Sequence, residues 1–301
     1  MFWFLVAILG YVSFAIVFLL DKVIVSDKLG EPVVYTFYST IYMFGALLAL
    51  PFLGWQLLSG VDWLWALLSG ITFGFGLWSL FKALQRDETS HISPFNGAFV
   101  TIFVYFFSNF FLGESLTPYS QAGVIILVFS ALLLSFQKTK KRQTFSMGFF
   151  WAILSGLLFA ISHVLAKYLY GIYPFWSTLV WTKAFVGVVG LFTLFSPLVH
   201  KKFAKKIVKK QTKKSNTAFL IIVDKILAVV GVVCIQYAIA LGSVTVVNAL
   251  IGVQYVLMFV LIVFFSKFFP KIFSEYFTKE ELTVEFIAIC LVVLGTAFFV
   301  F

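Results

Sequence analysis

The sequence predicts an all-α polytopic membrane protein, with ten transmembrane helices in two inverted five-helix repeats. Three observations predict it. Of 301 residues, 62% are hydrophobic and only 11% charged, with a mean hydropathy of +1.05, whereas soluble globular chains run near ~25% charged. The apolar residues collect in runs of about 20, the length an α-helix needs to cross the hydrocarbon. The basic residues, finally, fall almost entirely in alternate connections between those runs.

The ten expected spans are Phe2 to Leu20, Val33 to Phe52, Trp63 to Leu84, Ile92 to Leu112, Tyr119 to Phe136, Phe145 to Leu165, Phe175 to Leu198, Ala218 to Ala240, Val244 to Phe265, and Val284 to Val300. A membrane β-barrel would need short strands of alternating polarity. Continuous runs such as Ala122 to Leu134 exclude it. The first run lacks a basic leader and a small-residue cleavage site, so it is expected to be a permanent span rather than a signal peptide.

Proline placement agrees with this division. Pro32, Pro94, Pro118 and Pro174 are expected at helix starts, where a missing N–H costs little. Pro51 and Pro197 are expected at stops, and Pro270 in a loop. No proline signals a broken helix in mid-membrane.

Nineteen of the 22 Lys and Arg residues lie in the loops between spans one and two, three and four, five and six, seven and eight, and nine and ten. Such a bias places those loops in the cytoplasm and both termini on the outer side. Lys167, Lys183 and Lys225 are the three exceptions, in or beside spans. The cysteines, Cys234 and Cys290, stand alone in apolar runs, which excludes a disulfide scaffold, a cysteine-based zinc site and an iron–sulfur site.

The chain also repeats itself. Glu114-Ser115-Leu116-Thr117 followed by the run from Ala122 is matched by Glu280-Glu281-Leu282-Thr283 followed by the run from Ala288, at the same spacing. Asn96-Gly97-Ala98 and Asn248-Ala249-Leu250 open the fourth and ninth spans. Five spans per repeat is an odd number, so the second copy enters from the opposite side. The boundaries are residues 1–137 for the first repeat, 138–144 for a basic cytoplasmic linker and 145–301 for the second repeat, which includes a basic loop at 199–216.

These features resemble the drug/metabolite transporter superfamily, specifically its EamA-type carriers. The residues that carry the resemblance are Ser93, Pro94, the run to Phe111, Leu112-Gly113-Glu114, Leu116-Thr117 and Gly123 with the run to Ser135. The second half departs from the pattern: Pro94 has no counterpart near Asn248, Lys279 replaces Gly113, and Phe268 to Phe277 reads as an insertion. The resemblance implies a multi-pass protein of a prokaryotic cytoplasmic membrane. It further implies alternating access around a central cavity and transport, often outward, of small metabolites. Relatives are expected to keep both termini in the cytoplasm, whereas the charges of this chain place them outside. The alternative is a non-transporting binding or structural protein on the same scaffold.

Ionisable groups within spans are costly and mark cavities or partners. Lys183 and Asp224 sit at depths that differ by less than about 10 Å at ~1.5 Å per residue. They are expected either to pair with each other or to place Lys183 in the cavity. Gln236 extends a polar stripe from Asp224. His163 and Lys167, four apart, share one face of the sixth span. Lys167 can snorkel, and His163 can bind substrate, titrate or join two helices. Trp78, on a stripe with Gly70 and Gly74, and Tyr42, on a stripe with Tyr38, Gly45 and Ala49, are candidate cavity walls. Such small-residue stripes equally serve helix packing. Asn248 and Gln254, with Asn96, place amides in apolar spans, where either a helix or a substrate must satisfy them.

The basic surplus among in-span residues favours an anionic or zwitterionic small molecule, an amino acid or related carboxylate. Lys201, Lys202, Lys205, Lys206, Lys209, Lys210, Lys213 and Lys214 form four pairs at helical spacing, a surface suited to anionic membrane lipid. Nucleic acid is not the expected partner. No nucleotide loop, metal-ligand spacing or nucleophile constellation is present, so no cofactor and no enzymatic reaction are expected. Proton coupling stays open.

Overall fold

A computed structural model describes residues 2–24, 31–53, 56–86, 89–135, 147–200, 215–268 and 279–299. Helix α1 spans Phe2–Ile24, α2 Pro32–Ile41, α3 Leu50–Leu53, α4 Asp62–Arg86, α5 Thr89–Leu112 and α6 Pro118–Ser135. In the second half α7 spans Met147–Tyr170, α8 Phe175–Thr193, α9 Ser215–Leu241, α10 Val244–Ala249, α11 Ile251–Phe268 and α12 Lys279–Ala297. Among the described residues, nine helical stretches are long and apolar enough to cross a membrane. They coincide with the first nine expected spans. The tenth is a shorter apolar helix, Leu282–Ala297. The fold is thus an all-α polytopic membrane architecture. The four lysine pairs from Lys201 to Lys214 lie outside the described residues.

Two spans are interrupted where proline gave no sign of it. The second passes from α2 into a 3-10 segment, Tyr42–Ala49, before closing as α3. The ninth is interrupted at Leu250, between α10 and α11. There the Tyr11 hydroxyl donates to the Val247 carbonyl at 2.8 Å, giving that group a partner from α1. Pro94 corrects the expected start of the fourth span: α5 begins at Thr89 and carries the proline inside it.

Long-range packing joins the two halves. The chief pairs are α1 with α9, α4 with α7, α5 with α7, α4 with α8, α2 with α8 and α6 with α12. Glycine makes the α4–α8 contact possible. A Cβ on Gly70 would fall 2.5 Å from Phe185 Cβ, and one on Gly74 2.6 Å from Val189 Cγ2. This stripe therefore serves helix packing. Gly45 does not, since an added Cβ there meets nothing within 4 Å.

At one end of the bundle the short connections meet. The Tyr173 hydroxyl donates to Asp62 Oδ2 at 2.7 Å and accepts from the Ser59 N–H at 3.0 Å. Beyond α5 the chain turns on Gly113, at φ +64°, the left-handed region that glycine enters without a Cβ clash. Thr245 at the start of α10 donates to the Glu114 carboxylate at 2.8 Å and lies 2.8 Å from the Ser108 hydroxyl. Thus the Leu112-Gly113-Glu114 turn of the first half is tied to the α9–α10 connection of the second.

Candidate functional site

Helix α7 carries a polar stripe on an otherwise apolar rod. His163, Lys167 and Tyr170 follow at intervals of four and three residues, which stacks them on one face. That face meets the junction of α9 and α10 at three levels.

His163 Nδ1 lies 2.7 Å from Asn248 Oδ1, while Asn248 Nδ2 donates to the Val244 carbonyl at 2.8 Å. The second bond orients the amide with its oxygen towards the ring. Nδ1 therefore carries the proton, and Nε2 keeps its lone pair. Nearer the short-loop end, the Lys167 ammonium donates to the carbonyls of Ile239, Ala240 and Gly242 at 2.9, 3.1 and 2.7 Å. These are the unpaired carbonyls that any helix leaves at its C-terminus. Lys167 is a C-terminal cap of α9, which replaces the expected snorkelling with a defined set of bonds. One turn on, the Tyr170 hydroxyl donates to Gln236 Oε1 at 3.0 Å, and Gln236 is buried.

Lys183 approaches from α8. It is 8% exposed, and its Nζ rests 4.2 Å from the centroid of the Phe73 ring of α4. The same ring lies 6.3 Å from that of His163, and Phe159 stacks beside His163 at 6.4 Å and 18°. An ammonium on an aromatic face gains an attraction of about 0.5–2 kcal/mol, without the directionality of an ion pair. No carboxylate pairs with Lys183 among the described residues. The site therefore gathers one cation, one imidazole and two phenyl rings, contributed by α4, α7 and α8, with Asn248 of α10 orienting the imidazole.

Several expected members stand elsewhere. Asp224 does not pair with Lys183. It is fully buried, its Oδ2 is 2.7 Å from Lys225 Nζ, and that lysine is 67% exposed. The adjacent lysine wins because its long stem reaches back to the carboxylate while the head stays at the surface. Trp78 is five residues from Phe73, about 140° round the helix. Phe73, Leu77 and Leu80 pack on the central core, whereas Trp78 takes Lys82 over its ring at 4.0 Å, with Trp151 on the far side of that ammonium at 4.1 Å. Tyr42 is 74% exposed, a surface position and not a cavity wall. Gln254 is half-buried and makes no side-chain hydrogen bond among the described residues. Asn96 donates to the Ala152 carbonyl at 2.8 Å, a helix-to-helix contact. Phe73 and Tyr170 escaped the sequence reading. Tyr170 was findable as the next step of the His163–Lys167 spacing, but nothing distinguishes Phe73 among 40 phenylalanines.

The sequence profile of the EamA-like transporter family matches residues 1–136. The first 136 residues are thus similar to EamA-like transporters. A solved structure described only as a crystal structure of a protein superposes on this EamA-like chain with a TM-score of 0.64 at 17% identity, covering 97% of each chain. At that identity the likeness concerns the fold alone, and it spans both halves of the chain. No curated protein matches the sequence.

Proposed function

We propose that this EamA-like protein is a secondary carrier that exports small organic metabolites bearing a carboxylate, such as amino acids or related acids, by alternating access. The reading takes the chain as ten spans in two inverted five-helix repeats. Helix pairing supports it. α1 packs on α9 as α7 packs on α4, and α1 on α11 as α7 on α5, while α2 with α8 and α6 with α12 pair with their own counterparts. Exchanging the two halves leaves these pairs unchanged, while the α4–α8 contact has no comparable counterpart between α9 and α2 among the described residues. The basic loops then lie in the cytoplasm, the termini outside, and the lysine-rich loop against anionic lipid of a prokaryotic cytoplasmic membrane.

Lys183 carries the substrate class. It is a buried ammonium about 12 Å from the start of α8, at ~1.5 Å per residue, and an aromatic ring is its neighbour where a counter-ion would be expected. A buried cation left without an anion is costly, and a carrier keeps one where its ligand supplies the charge. His163, Asn248 and the rings of Phe73 and Phe159 stand beside it. The test is Lys183→Gln in purified protein returned to vesicles. A charge-assisted hydrogen bond contributes about 1.5–3 kcal/mol, so affinity for a carboxylated substrate should fall roughly 10- to 150-fold. Its neutral amide analogue should change little. Equal losses for acid and amide reject the assignment.

A further inference from the structure

Resting on the reading of Lys183 as the carboxylate site, we propose that the pocket selects organic acids that lack an ammonium group, 2-hydroxy acids above all, over the amino acids with the same side chain. The argument is a count of charge around one cluster. Asp62 accepts from Tyr173 at the short-loop end, Glu114 accepts from Thr245 at the same end, and Asp224 sits beside Lys225. None of these carboxylates joins Lys183, Phe73, His163, Phe159 and Asn248. The second lysine near the stripe, Lys167, is engaged by three carbonyls of α9. Among the described residues, Lys183 is therefore the single formal charge of the cluster.

A monoanion brings that charge to zero. A zwitterion leaves it at +1 and sets a second ammonium within a few ångströms of the first, beside a largely buried lysine. Like charges about 5 Å apart at an effective dielectric near 20 penalise binding by roughly 250-fold, and by about 10-fold where the second ammonium sits further off. The usual relief for a buried ammonium is a carboxylate or an aromatic face. The cluster offers no carboxylate, and the Phe73 face already holds Lys183. What the cluster does offer beside the cation is a neutral acceptor. Because Asn248 fixes the proton on Nδ1, the Nε2 lone pair of His163 is available to a donor. A hydroxyl meets it without adding charge, while Phe73 and Phe159 accept an apolar side chain.

The experiment uses the purified full-length chain in nanodiscs and titration calorimetry with three matched sets: lactate, alanine and lactamide; 2-hydroxyisocaproate, leucine and the hydroxyamide; phenyllactate, phenylalanine and phenyllactamide. In at least one set the hydroxy acid should bind about 10-fold or more tightly than the amino acid. Lys183→Gln should collapse that ratio, and Lys183→Arg, which keeps the charge, should retain it. Circular dichroism of both variants establishes that they fold. Amino acids binding as tightly as hydroxy acids in every set, or no hydroxy acid binding at all, overturns the inference. If amino acids win but Lys183→Gln still separates acid from amide, the carboxylate assignment stands and only this selectivity falls. If acid and amide bind the wild type equally, both fall.

Discussion

The three bonds of Lys167 give the most direct handle on how the two halves are joined. Lys167→Gln removes an ammonium that holds the carbonyls of Ile239, Ala240 and Gly242 at 2.7–3.1 Å. A hydrogen bond to a charged group contributes about 1.5–3 kcal/mol, and a cation at a helix C-terminus about 0.3–1 kcal/mol, rising to ~2 when partly buried. The three bonds share one charge and do not add in full, so the expected loss is about 2–4 kcal/mol. An unfolding entropy of ~2.1 cal/mol/K per residue, over 301 residues, gives about 0.6 kcal/mol/K. The midpoint should therefore drop by about 3–6 °C, measured by circular dichroism in one detergent. Lys167→Arg should recover part of the loss, because it keeps the charge with a different fork of donors. A lysine that merely snorkels has no carbonyl partners to lose. If Lys167→Gln melts within about 1 °C of the wild type, the capping role is wrong.

Two further outcomes follow from packing and from charge. Gly74→Val should lower the melting midpoint by several degrees, since its Cβ would lie 2.6 Å from Val189 and overpacking costs about 1–3 kcal/mol. Gly45→Ala, with nothing within 4 Å, serves as the matched control and should leave the midpoint unchanged. Single cysteines placed in the loop after α6 and in the connection after α7 should react oppositely with an impermeant thiol reagent on intact cells. Labelling is expected after α7, and labelling after α6 instead would reverse the assigned orientation.

The spans were legible because lipid imposes a length and a composition that no soluble helix needs, and the long runs record both. The interruptions were not. A 3-10 segment over Tyr42–Ala49 and an interruption at Leu250 carry no proline. The Leu250 break is accompanied by the Tyr11 hydroxyl, 236 residues away in sequence from the carbonyl it serves. The site was half legible for the same reason. Lys183, His163 and Asn248 announce themselves because polar groups in hydrocarbon need a cause. Their neighbour Phe73 does not, because a phenyl ring in a span is ordinary. Asp224 was placed by its depth along the helix alone, which does not reveal that the lysine beside it reaches back to its carboxylate.

The geometry also decides which member of the site is fixed and which moves. Helix α7 is held on one face by the His163, Lys167 and Tyr170 bonds to α9 and α10. On another face it is held to α4: the Ser155 hydroxyl donates to the Gly76 carbonyl at 2.9 Å, and the Ser69 hydroxyl to the Ser162 carbonyl at 2.9 Å. The imidazole is thus set in place before any ligand arrives. Among the described residues, the head group of Lys183 meets the ring of Phe73 and no comparable restraint. Leaving that ring costs about 0.5–2 kcal/mol, while a charge-assisted bond to a carboxylate returns about 1.5–3 kcal/mol. The exchange is favourable, though by a small margin. A small margin is what a carrier requires, because a ligand held much more tightly than the resting contact would not be released on the far side.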